Sequence, residues 1–211
     1  MKIIYTCITG IYDDLKEPTI VTEGWQYICF TNNKDLFQKK DTVWNIIYME
    51  LPTVKHQREI KIKPSEFIQY DISIWIDGSM QINCNLDAFV YRYHLEKFTT
   101  LLHPHRLCIY DEAEACIKLK KDDRITILEQ LNEYKKSGFP RDMGMIGSGL
   151  IIRTKCKEND DFAVKWWKEV EKHSKRDQLS FNYVMYNNRI KYNLISFGVL
   201  KNEFILKKHT K

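Results

Sequence analysis

An aspartate at the tip of an apolar run is the chemically sharpest feature of this sequence. Ser73-Ile74-Trp75-Ile76 has the character of a buried strand, and it stops at Asp77-Gly78-Ser79. A carboxylate emerging from such a strand is desolvated unless a cation meets it. Mn²⁺ or Mg²⁺ would meet it, because both take oxygen ligands and keep positions open for phosphate oxygens, and glycine lets the backbone approach a ligand closely. From spacing alone a plain Asp-Gly turn reads the same way.

Other groups could serve an anionic ligand. Lys55, Arg58 and Lys61 recur every three residues in a segment of helical pattern, so they share a face that could hold a diphosphate, or simply a solvated basic surface. Thr9-Gly10 with Tyr12-Asp13 follows the first apolar run and Thr31-Asn32 the second. Both are placed to touch a nucleoside, although ordinary turns have the same composition. In Arg176-Asp177-Gln178, Asp177 and Gln178 could face a sugar, where a carboxylate takes a proton from an acceptor hydroxyl or stabilises an oxocarbenium-like transition state. Capping of the helix that follows is the competing reading. Tyr110-Asp111-Glu112-Ala113-Glu114 holds three carboxylates that could also contribute, although a charged helix start has the same composition. His103-Pro104-His105-Arg106 lacks the further Cys or His partners of a zinc site.

These residues need elements to position them. Strands are expected over 2–8, 25–30, 44–51, 73–76 and 145–153, and helices over 54–63, from Asn85, over 123–136 and around Trp166 and Tyr183. In the 123–136 helix, Ile127, Leu128, Leu131 and Tyr134 form the apolar side. The tail, 190–206, reads as weakly β-like. Strand and helix alternate, which predicts an α/β fold with a mainly parallel central sheet flanked by helices and a ligand site at the carboxyl ends of the strands.

With 211 residues and 44% hydrophobic content the chain is read as one domain, 1–211, with a core that needs no staple. The six cysteines are scattered without CxxC pairs and read as reduced packing residues. No long apolar run or cleavable leader is seen, so a cytoplasmic protein without a membrane span is expected. A net charge of +5 spread along the length points away from nucleic acid and towards a smaller anionic partner.

Six ordered blocks carry a resemblance. They are 5–13 (YTCITGIYD), 27–32 (YICFTN), 58–61 (REIK), 73–78 (SIWIDG), 103–106 (HPHR) and 176–181 (RDQLSF). Together they resemble the TOD/MUCI-type glycosyltransferase-like family over nearly the whole chain. The resemblance implies a GT-A-type fold and transfer of a sugar from a nucleotide-diphosphate donor, a UDP-sugar, to a glycan or glycoprotein acceptor, with retention of configuration. It also implies Mn²⁺ or Mg²⁺ on a D-x-D-like element. Asp77 matches its first position and Ser79 stands where the second carboxylate would be, with His209 placed like the late histidine that completes the metal shell in this fold. The chain would then be the first module of a longer polypeptide. A nucleotide-sugar or glycan-binding module without turnover, or an amide or lipid hydrolase, are the competing classes.

Overall fold

The computed structural model describes residues 1–188 and 190–208. Its centre is a seven-stranded sheet in the order β3-β2-β1-β4-β7-β6-β8. These strands are β1 (Lys2–Ile8), β2 (Trp25–Thr31), β3 (Asn45–Tyr48), β4 (Ile72–Ile76), β6 (Phe98–Leu102), β7 (Ile146–Thr154) and β8 (Asn193–Ile195). Only β7 runs antiparallel to its neighbours β4 and β6, so the sheet is mainly parallel. Two further strands, β5 (Met80–Ile82) and β9 (Phe204–Leu206), pair antiparallel beside it.

Strands this apolar form because both faces of the sheet are covered. Alternate residues of β1 go to opposite sides. Ile3, Tyr5 and Cys7 pack with Trp75, Phe98, Phe162 and Trp166, whereas Ile4 and Ile8 pack with Ile74, Phe89, Leu200 and Phe204. The first layer takes helices α2 (Val54–Ile62), α6 (Lys157–Lys172) and α7 (Gln178–Asn188); the second takes α3 (Leu86–Tyr93) and α8 (Phe197–Glu203). A third cluster lies between α4 (Ile109–Lys118), α5 (Arg124–Lys136) and α7. A short α1 (Lys34–Phe37) follows β2.

The expected order of elements holds, with local differences. β3 ends at Tyr48, short of Leu51. Leu128 is exposed, because α5 buries a narrower stripe of Ile127, Leu131 and Tyr134. The tail is not simply β-like: Ser196 accepts from Val199 N and caps α8 between β8 and β9. Asn85 and Asp123 cap α3 and α5 through their side chains. Tyr110 through Glu114 lies inside α4, the charged helix start. Among the described residues no helix is long and apolar enough to cross a membrane.

Candidate active site

β1 and β4 end side by side, and a cavity of about 510 Å³ opens beyond them. Thr9, Tyr12 and Asp13 from the loop after β1, Arg58 from α2, and Asp77 and Gly78 after β4 all line it. Lys121, Lys175 and Arg176 complete the wall from the connections after α4 and α6. A ligand there meets two carboxylates and four cations.

The loop after β1 is held by the loop after β2. Gly10 adopts φ +57°, a left-handed conformation that suits glycine. Its N–H donates to Asn32 Oδ1 at 2.7 Å and its carbonyl accepts from Asn33 Nδ2 at 2.9 Å. Thr31 is fully buried and donates to Ile8 O. Thr31 and Asn32 therefore brace the cavity rim and are not among the residues lining it.

Asp77 is fixed on one oxygen. Trp75 Nε1 donates to Oδ1 at 3.0 Å, and Lys61 Nζ stands 3.8 Å from the same atom. Its backbone N–H donates to Gly149 O at 2.8 Å, which ties the end of β4 to β7. Here β7 leaves its ladder: Thr100 pairs with Ile151 and Leu101 with Gly147, so residues 148–150 bulge. Bulges next to a site re-aim side chains. Thr100 Oγ1 stitches this one by donating to Leu150 O at 2.8 Å. A Cβ at Gly149 would lie 3.2 Å from Asp77 Oδ2 and 2.8 Å from Met80 Cε, so glycine keeps the space beside that oxygen clear. A Cβ at Gly78 would lie 3.2 Å from Asp13 Oδ2.

The three basic residues of α2 separate. Lys55 donates to the carbonyls of Glu171 and His173 at the end of α6, where a cation complements the helix terminus. Lys61 is buried, 2.7 Å from Asp177 Oδ2 and 2.8 Å from Ser148 Oγ. It reaches Asp177 and Ser148 in place of a diphosphate. Arg58 alone of the three lines the cavity, with Nε 3.8 Å from Asp177 Oδ1.

Asp177 itself is 2% exposed and sits behind the wall, not on it. Burial alone would raise its carboxyl, but Lys61 and Arg58 outweigh burial and hold it at about 2. So paired, it is a poor proton acceptor at neutral pH. Gln178 is likewise engaged: its Nε2 donates to Ile146 O and its Oε1 accepts from Arg176 Nη2, both at 3.0 Å.

Ser79 does not line the cavity, and its carbonyl accepts from Lys207 N at 2.9 Å. That bond brings the last described segment beside the Asp-Gly-Ser turn. His209 lies outside the described residues. Among the described residues, the group of three that could share an ion is Cys108, Asp111 and Asp142, away from Asp77, and Arg141 already pairs with Asp111 there. His103 accepts from the backbone of Arg106 and faces Glu112, the role of a half-buried structural histidine. Ser148, Gly149, Thr100 and Lys175 escaped the sequence reading, since none sits in a pattern that predicts its neighbours, whereas Lys121 belongs to a basic cluster, 118–124, whose plain reading is a solvated face.

A sequence model of the TOD1/MUCI70, glycosyltransferase-like domain matches residues 2–210. The chain belongs to this family. It is also 23% identical, over 86% of its length, to a "Probable hexosyltransferase MUCI70" of Arabidopsis thaliana, and spans 36% of that relative's length. The mainly parallel, helix-flanked sheet of this TOD1/MUCI70-family chain is that of a GT-A-like single domain.

Proposed function

We propose that the cavity binds a nucleotide-sugar donor and that the protein transfers a hexosyl unit from it to a glycan or glycoprotein acceptor. What carries this reading is the meeting of Asp77 after β4, Asp13 in the loop after β1 and Arg58 from the middle of α2 in a chain of glycosyltransferase-like family. A UDP-sugar is the donor class, with the nucleoside along Thr9, Tyr12 and Asp13; Gly10 shapes their loop but does not line the cavity.

The residues fit a divalent cation. Asp77 Oδ1 is tied to Trp75 and Oδ2 is cleared by Gly149, and Asp13 lies beside Gly78. Asp77 would hold Mn²⁺ or Mg²⁺, with Asp13 near it, and His209 remains the proposed further ligand. Ser79 adds no carboxylate. Such an ion, when bound, supplies positive charge for the departing diphosphate. The chain's own contribution is preorganised charge: Arg58 is aimed at the cavity by Asp177, and Arg176 by Gln178. Asp177 and Gln178 thus act from behind the wall as positioning residues.

The test is thermal unfolding with nucleotide sugars, with and without Mn²⁺. A donor at about 100 times its Kd raises stability by roughly 2.7 kcal/mol. UDP-linked sugars should shift the transition, and Asp77→Ala should abolish the metal-dependent part; equal shifts for both proteins would remove Asp77 from the site. Mn²⁺-dependent release of nucleoside diphosphate separates a transferase from a module that only binds.

A further inference from the structure

Lys121 and Lys175 have no part in the donor reading, and the third cation beside them in the wall, Arg176, enters it only as preorganised charge. Lys121 lies just beyond the end of α4, and Lys175 and Arg176 lie between α6 and α7; all three line the cavity. They come from distant parts of the sequence, and one carboxylate joins them. Asp122 accepts from Ser174 Oγ at 2.6 Å and from Lys175 N at 2.8 Å, and pairs with Lys175 Nζ at 3.4 Å. Asp123 is spent on capping α5. The acidic charge of the 122–123 pair is therefore used in construction. Lys121 is exposed and takes part in no ion pair among the described residues. Its position is fixed by its N–H, which donates to Cys116 O at 2.9 Å after Lys120 turns with φ +52°.

Arg176 is the deepest of the three. Nη2 donates to Gln178, Nε is buried without a partner, and no carboxylate stands within ion-pair distance of it among the described residues. A guanidinium is an always-charged fork that suits planar or tetrahedral oxyanions, and Asp177 and Glu112 act on this one only from beyond ion-pair distance.

We propose that Lys121, Lys175 and Arg176 form an anion subsite that takes a phosphoryl or carboxylate group of a substrate. Two sources share this chemistry: the diphosphate of the donor and an acidic sugar of the acceptor. The subsite lies in the same cavity as the donor reading and stands on its own geometry.

Calorimetric titration of the full chain with inorganic pyrophosphate and with a hexuronic-acid trisaccharide tests it. At least one probe should bind, and its affinity should fall tenfold or more in Lys121→Ala/Lys175→Ala, whose exposed side chains can be removed without opening the core. Arg176→Lys, which keeps the charge and loses the fork, should weaken the same probe. Binding should also weaken on raising salt from about 50 to about 200 mM. Pyrophosphate alone assigns the subsite to the donor; the trisaccharide alone assigns it to an acidic acceptor. Binding of neither probe, or equal affinity in wild type and the double variant, overturns it. A wild type that binds neither probe yet keeps the UDP-sugar thermal shift overturns the subsite alone. Loss of that shift with pyrophosphate still bound at the three cations overturns the donor reading alone.

Discussion

Lys61 Nζ lies 2.7 Å from Asp177 Oδ2, and the two side chains are 2% and 3% exposed. The pair joins α2 to the start of α7 beneath the cavity floor. Burial pushes the Lys61 ammonium down while Asp177 and Asp77 pull it up; the carboxylate stays ionised. Each partner also touches the cavity indirectly, Lys61 through Asp77 and Asp177 through Arg58.

A buried ion pair contributes little net stability, yet half of one is costly, because the surviving charge has no solvent and no partner. Lys61→Met should destabilise the protein by about 3–5 kcal/mol, and Asp177→Asn in the same direction. The double variant Lys61→Met/Asp177→Leu should lose less than the sum of the singles, measured by urea unfolding. Additive losses would mean that the two side chains do not depend on each other.

The cysteines offer a second check on burial. Cys7, Cys29, Cys84, Cys108 and Cys116 are buried and free, and Cys156 is partly exposed. Burial pushes the Cys29 and Cys84 thiols up to about 12 and Cys116 to about 11, and raises Cys7 as well. Thiolate is the reactive form, so these groups should resist alkylation in the native state. A disulfide reagent at about pH 8, near the ordinary thiol pKa, should count one fast thiol, lost in Cys156→Ser, and all six cysteines in denaturant. Several fast thiols in the folded protein would contradict the packing role.

What the sequence could reveal follows from how local each signal is. β1 and β4 were legible because parallel strands buried on both faces read as continuous apolar runs, and Asp77 stood out against one of them. Helical spacing placed Lys55, Arg58 and Lys61 on α2, but spacing gives a face and not a depth; the packing of α2 against the sheet decides that Lys61 is buried. The bulge at 148–150 depends on how β7 pairs with β6, which no residue in β7 announces. The meeting of Lys121 with Lys175 depends on Asp122 bridging two loops some fifty residues apart. Short α8 takes its stability from Leu200 in the core, so its own seven residues carry little helical signal.

His94 makes the protein acid-sensitive. Its ring nitrogens lie 2.9 Å from Thr99 Oγ1 and 2.9 Å from Thr154 Oγ1, and burial lowers its pKa to about 4. The unfolded chain protonates near 6.5. Between about pH 6.5 and 4 the unfolded state binds the extra proton, so stability falls as pH falls through that window and is fully present above it. Asp177, held at about 2 when folded, adds a further loss between roughly pH 4 and 2, because its contribution disappears as the carboxylate protonates. His94→Gln should flatten the slope between pH 6.5 and 4 while leaving the steeper fall below pH 4. An unchanged slope in the variant would place the titrating group elsewhere.

Gly149 tests whether the clearance beside Asp77 serves binding. Its φ is not in the left-handed region, so alanine brings no backbone strain, only a Cβ 2.8 Å from Met80 Cε and 3.2 Å from Asp77 Oδ2. Met80 Cε is the far end of a flexible side chain and can shift, which limits the loss of stability to the lower part of the roughly 1–3 kcal/mol typical of overpacking. Asp77 is held through Oδ1 and the turn that follows it, so it has less room to give. Gly149→Ala should therefore weaken the Mn²⁺-dependent thermal shift with UDP-sugars at least tenfold in donor concentration while unfolding within a few degrees of wild type without ligand. If the ligand-dependent shift survives intact in Gly149→Ala, the open space beside Oδ2 has no part in holding the ion, and the cation must be sought at Asp13.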